Sequence, residues 1–185
     1  MVQAILNSFL LVFISEMGDK TQLLSLVLTA RYKKPWLILA GVFVATVLNH
    51  GLAAWIGGAA ASLVSPETLK WVLALTFFAF AAWILIPDEE GELKSGNRFG
   101  VFVTTVVAFF IAEMGDKTQL ATVALGAKYP SLWAVTFGTT LGMLASNALA
   151  IFLGDRLLQK IPMQSVRIFA CALFVIFGIA ILIGF

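Results

Sequence analysis

The chain has 185 residues, of which 61% are hydrophobic and 12% charged, with a mean hydropathy of +0.99. These values exclude a soluble domain, and the net charge of +2 is too small to point to nucleic acid. One cysteine, Cys171, and one histidine, His50, exclude a disulfide framework, a cysteine metal cluster and a multi-histidine zinc site.

A membrane-spanning helix needs about 20 apolar residues. Six runs meet that need in chain order, over 4–30, 36–61, 69–87, 99–127, 131–153 and 166–184. The first has no basic segment ahead of it and is too long for a signal peptide, so it reads as a span. Short hydrophilic breaks separate the runs, and Pro35, Pro66, Pro87, Pro130 and Pro162 fall at or near them. The predicted fold is therefore all-α and integral to the membrane, with six transmembrane helices.

The first run carries Glu16-Met17-Gly18-Asp19-Lys20-Thr21-Gln22, and the fourth carries the same seven residues as Glu113 to Gln119. The copies stand 97 residues apart, and that offset holds along the chain without a gap. It pairs Tyr32 with Tyr129, Trp36 with Trp133, Gly41 with Gly138, Gly57 with Gly154 and Phe77 with Phe174. The chain thus divides into a three-helix repeat over 1–87, a linker over 88–98 and a second three-helix repeat over 99–185. Three is odd, so successive repeats enter the membrane from opposite sides, giving two inverted repeats with a midplane site between them. Arg31, Lys33, Lys34, Lys94, Arg98, Arg156, Lys160 and Arg167 fall on one side, against Lys70 and Lys128 on the other. The first side is predicted to be cytoplasmic and both termini external.

Charges within an apolar span cost on the order of 2.5–3.5 kcal/mol each, and intramembrane acids mark function by default. Read as continuous helices, the two motif runs place Glu16, Asp19 and Lys20, and likewise Glu113, Asp116 and Lys117, within one arc of about 100°. Four carboxylates and two ammoniums leave a charge of −2, which one divalent cation or two protons would balance. Glu16, Asp19, Glu113 and Asp116 are the candidate cation ligands, and their oxygens suit hard ions such as Ca²⁺, Mg²⁺ and Mn²⁺. Lys20 and Lys117 are expected to pair with Asp19 and Asp116.

Thr21, Gln22, Thr118 and Gln119 flank the acids as supporting residues. Asn49, His50 and Asn147, at mid-span in the second and fifth runs, either complete the ligand shell, relay protons or bond between helices. Gly18 and Gly115 either break their helices to expose carbonyls or permit close packing. Met17 and Met114 either supply a thioether that favours Mn²⁺ or pack. Gly41-x-x-x-Ala45 and Gly138-x-x-x-Gly142 read as close-packing faces.

Two copies of E-x-G-D-K-[TS], one in each three-helix half, resemble the signature of a family of small membrane cation exchangers. That family has Golgi and chloroplast members in eukaryotes and manganese exporters in bacteria. The resemblance covers the whole chain and implies antiport of Mn²⁺, and in many members Ca²⁺, against protons. In a short chain of bacterial type it implies Mn²⁺ efflux across the inner membrane. It carries to Glu16, Asp19, Lys20 and Thr21, with Glu113, Asp116, Lys117 and Thr118. The implied partners are a divalent cation and protons as substrates, with the lipid bilayer around them and no cofactor. Nothing in the pattern specifies whether the chain pairs as a homodimer. The rival readings are a Ca²⁺/H⁺ exchanger, a passive divalent-cation channel, a scaffold and an intramembrane enzyme. The enzyme reading finds no HExxH, nucleophile elbow or phosphate loop in its favour.

Overall fold

The computed structural model of the chain describes residues 1–86, 100–154 and 162–184. The predicted linker over 88–98 lies outside these residues, as do Lys94, Arg98, Arg156 and Lys160 of the charge-asymmetry argument. Eight helices occur among the described residues: α1 (Val2–Ser15), α2 (Lys20–Tyr32), α3 (Pro35–Ala61), α4 (Pro66–Trp83), α5 (Val101–Glu113), α6 (Lys117–Lys128), α7 (Leu132–Leu153) and α8 (Met163–Leu182). No described residue is in a strand.

Local chemistry explains several of the ends. Pro35 and Pro66 open α3 and α4 at positions where a missing N–H costs nothing. The Ser65 and Ser131 hydroxyls accept from the Thr68 and Ala134 N–H groups at the starts of α4 and α7. By length and composition, α3, α7 and α8 suffice to cross a membrane, and α1 with α2 forms a fourth such unit bent by 72°.

That bend corrects the first sequence expectation. The runs over 4–30 and 99–127 are not continuous helices: each breaks inside its seven-residue motif. Gly18 and Gly115 adopt φ of +78° and +77°, a left-handed backbone that glycine enters without the Cβ clash met by other residues. Asp19 and Asp116 then begin new helices from extended backbone. The single helical arc predicted for Glu16, Asp19 and Lys20 does not exist, because the glutamate ends one helix and the lysine starts the next.

Packing crosses between the two halves of the chain. α1 lies on α7, and α5 and α6 lie on α3. A Cβ on Gly41 would stand 2.7 Å from Thr105 Cβ, and one on Gly138 would stand 2.9 Å from Ser8 Cβ. Both contacts obey the 97-residue offset. Farther along α3, Gly57 abuts the Val123 carbonyl and Gly126 abuts the Ala54 carbonyl. Small residues here let backbones meet, as membrane helices require. Phe77 of α4 meets its own counterpart, Phe174 of α8, with ring centroids 6.0 Å apart, and Phe80 and Phe177 complete the cluster.

The distribution of polarity is inverted relative to a soluble protein. Glu16, Gln22, Ser25, Asn49, His50, Glu113 and Asn147 are buried, while Trp36 and Trp133 are 71% and 81% exposed at the starts of α3 and α7. Amphipathic rings at helix ends are the pattern of a membrane interface.

Candidate functional site

The two breaks are built alike. After each glutamate the backbone turns so that the aspartate N–H donates to the glutamate carbonyl, Asp19 to Glu16 and Asp116 to Glu113, both at 3.2 Å. The threonine after the lysine folds its hydroxyl back onto the glutamate. Thr21 donates to Glu16 Oε2 at 2.7 Å and Thr118 to Glu113 Oε2 at 3.1 Å. Each glutamine braces the turn itself, since the Gly18 N–H donates to Gln22 Oε1 (2.8 Å) and the Gly115 N–H to Gln119 Oε1 (2.7 Å). The motif is therefore a folded unit, in which the threonine and glutamine hold the acid and the glycine that precede them.

The cross-packing of α1 and α2 on α7, and of α5 and α6 on α3, brings the two units together. All four acids are buried. Glu16 lies within electrostatic reach of Glu113 and Asp116, and Glu113 within reach of Asp116 and Asp19. The remaining carboxyl oxygens, Glu16 Oε1 and Glu113 Oε1, have no hydrogen-bond partner. An unpaired buried polar group costs about 1–3 kcal/mol and more when charged, so each is an open demand for a proton or a cation. Among the described residues no three His, Cys, Asp or Glu side chains converge as a ready cage for a metal ion.

The lysine–aspartate pairing runs between the two motifs. Lys20 bridges to Asp116 of the other motif, Nζ to Oδ2 at 2.9 Å, rather than being confined to Asp19 beside it. The cause is the break: Asp19 precedes the first residue of a new helix, and Lys20, at that first position, reaches across to the other half. Lys117 Nζ donates to the Ile86 carbonyl beyond the end of α4 and lies 5.8 Å from the centre of the Trp83 ring. A small cleft reaches the first break, lined among others by Ser15, Gly18, Asp19, Ile84, Lys117 and Arg167. Met17 also lines it, whereas Met114 is exposed.

Asn49 and Asn147 of α3 and α7 are hydrogen-bonded to other helices. Asn49 donates to the Phe110 carbonyl at 3.1 Å, and Asn147 accepts from Ser25 at 2.6 Å while donating to the Met143 carbonyl at 3.0 Å. His50 is fully buried with neither ring nitrogen hydrogen-bonded. Sequence reasoning passed over Ser146, whose carbonyl and hydroxyl both accept from Gln22 Nε2 at 2.8 Å. The 97-residue offset, which aligns Ser146 with Asn49, was the available signal. Gln119 Nε2 donates to that Asn49, at 3.3 Å.

The family described as "Divalent cation/proton antiporter GDT1" matches residues 4–92 and 101–184. The chain is 48% identical over 171 residues to a Vibrio cholerae protein named "Putative manganese exporter", a match covering 91% of this chain and 85% of that one. It is 25% identical over 204 residues to the GDT1-like protein sll0615 of Synechocystis, covering 97% and 96% of the two chains. It is 28% identical over 218 residues to the GDT1-like protein 5 of Arabidopsis thaliana, covering 97% and 95%. No solved structure matches.

Proposed function

The chain belongs to the divalent cation/proton antiporter family, and from that premise we propose that it exports Mn²⁺ across the bacterial inner membrane in exchange for protons. It is a transporter and not an enzyme. Ca²⁺ is the rival substrate. The manganese assignment draws on the name of the Vibrio cholerae relative and on oxygen donors that accept hard and borderline cations alike.

In this proposal the chain crosses the membrane six times as two inverted three-helix repeats. α1 with α2 and α5 with α6 each make one broken span. The observation that carries the reading is the pair of identical breaks, each burying a glutamate with one unpartnered oxygen. Half-helices whose ends meet at mid-membrane are how transporters of this architecture expose a site without exposing backbone to lipid. The Phe77–Phe174 contact, which joins a residue to its own counterpart, is what a two-fold relation between the halves requires on its axis.

Glu16, Asp19, Glu113 and Asp116 then hold either the cation or protons. Four carboxylates with Lys20 and Lys117 leave −2, so binding one divalent cation or two protons neutralises the buried site, and leaving it empty does not. Exchange follows from that exclusivity: the unloaded carrier is too costly to pass its site across the barrier. The cleft at the first break is lined also by Ile84 at the end of α4 and by Arg167 near the start of α8. By the charge distribution of the sequence that end is cytosolic, which suits entry of an exported cation.

Purified protein in liposomes, with an imposed pH gradient and a Mn²⁺-sensitive dye inside, tests the proposal. Mn²⁺ flux should follow the proton gradient, and Glu16→Gln and Glu113→Gln should each reduce it to background. Because protons and cation share oxygens, acidification on the binding side should raise the apparent KM for Mn²⁺, by up to about two log units per pH unit. Flux indifferent to the gradient, or full exchange in either variant, sinks the antiport reading. Parallel runs with Ca²⁺ and Mg²⁺ decide the substrate.

A further inference from the structure

Gln22 and Gln119 each bond in both directions, to their own break and to the opposite half. Gln22 Oε1 accepts from the Gly18 N–H at 2.8 Å, while its Nε2 donates to the Ser146 carbonyl and hydroxyl of α7, each at 2.8 Å. Gln119 repeats this with the Gly115 N–H at 2.7 Å and Asn49 Oδ1 of α3 at 3.3 Å. The Gly18 and Gly115 N–H groups sit where the helices are interrupted and have lost their regular acceptors. The amide is suited to the place. It offers an acceptor at one end and two donors at the other, and it adds no charge to a site already short of cations.

We infer that Gln22 and Gln119 are positioning residues for the cation site: each fastens the broken turn of one half to the other half and so sets where the glutamates and aspartates point. The inference rests on the antiport reading above and adds to it. The acids alone do not define the site, because their backbone is irregular and needs an external brace. The two braces are unequal. Gln22 is buried and makes three bonds of 2.8 Å, whereas Gln119 is half-exposed and its bond to Asn49 is longer. The first break is thus held more firmly than the second.

The test uses Gln22→Leu, Gln119→Leu, Asn49→Leu and Asn49→Ser in the full chain, with three readouts. These are Mn²⁺ exchange kinetics in liposomes, Mn²⁺ binding in detergent by calorimetry, and hydrogen exchange of peptides spanning the breaks. Gln119→Leu should raise the KM and the Kd for Mn²⁺ by about tenfold, with a smaller change in Vmax, and Gln22→Leu should raise them further. Hydrogen exchange should quicken in residues 14–22 of Gln22→Leu and in residues 111–119 of Gln119→Leu, while peptides of α4 and α8 keep wild-type protection. Asn49→Ser copies the residue that the first brace already uses, and should shift KM less than Asn49→Leu does. Gln119→Leu combined with Asn49→Leu should cost less than the sum of the two single changes, because the Gln119–Asn49 bond is counted in both, while each also loses a bond of its own, to the Gly115 N–H or the Phe110 carbonyl.

Unchanged KM and Kd in both glutamine variants overturn the inference, as does a fall in Vmax at constant KM and Kd, the mark of misfolded molecules. Wild-type protein that binds Mn²⁺ without proton-driven flux sinks antiport and leaves the braces to be judged by Kd. Wild-type protein that neither binds nor carries Mn²⁺ overturns both.

Discussion

Replacing Gly115 by alanine isolates the backbone requirement of the break. At φ of +77° the residue is in a region that side chains disfavour, yet a Cβ built there meets nothing within 4 Å. The cost is therefore conformational and free of steric clash with neighbours, about 1–2 kcal/mol. That strain weights the broken turn against any regular continuation of the helix by a factor of about 5–30. Gly115→Ala should thus lower Mn²⁺ exchange in liposomes by a factor in that range, with normal expression and insertion. Gly115→Asn should recover much of the loss, since asparagine tolerates positive φ through local hydrogen bonds. The order Gly > Asn > Ala is the signature of a left-handed requirement. A variant series in which alanine exchanges as fast as glycine, or asparagine is no better than alanine, would refute the reasoning.

Two further substitutions probe the frame and the ion pair. Gly57→Ala drives a methyl group into the Val123 carbonyl, a backbone atom that cannot rotate away, so α3 and α6 must part. The thermal midpoint in detergent should fall, reflecting about 1–3 kcal/mol of overpacking, and an unchanged midpoint would show that the helices do not approach so closely. Lys20→Gln removes the ammonium 2.9 Å from Asp116 and makes the proposed site more negative by one charge. Mn²⁺ affinity should rise by roughly tenfold and turnover should fall, because the extra charge holds the cation as well as attracting it. A weaker KM would show that Lys20 orders the site more than it limits its charge.

The all-helical character, the recurrence of the motif and the small-residue faces were legible because each depends on local composition or on spacing along the chain. Gly41 and Gly138 were readable as contact positions from Gly-x-x-x-small spacing alone, and the structure seats each against the other half's first helix. What escaped is tertiary. Nothing within Glu-Met-Gly-Asp-Lys-Thr-Gln distinguishes a glycine that packs from one at positive φ, because both uses favour a residue without Cβ. Once the helix breaks, its 100° periodicity no longer governs which side chains share a face. The Lys20–Asp116 pair follows from that failure, since a one-residue separation on a regular helix gives no reason to look to the other motif. Ser146 was marked only by its alignment with Asn49, since half of what it offers Gln22 is a backbone carbonyl, which every residue type supplies.

Identical sequence has not produced identical surroundings. Gln22 is sealed and Gln119 half-buried, and Met17 lines the cleft while Met114 is exposed. In the inverted-repeat proposal the chain has a second arrangement in which these surroundings trade places. The more alike the halves, the smaller the energy difference between the two arrangements. For the exchange proposed here that difference must stay within a few kcal/mol, or one arrangement would be too rare to carry flux. The sequence keeps the seven motif residues identical and lets the halves diverge beside them, at Asn49 against Ser146 and at His50 against Asn147. The first pair holds the glutamines. In the second, Asn147 is hydrogen-bonded and His50 is not. The chemistry that must be equal in both arrangements thus lies in the repeated motif, and the terms that favour one over the other lie in the residues that brace it.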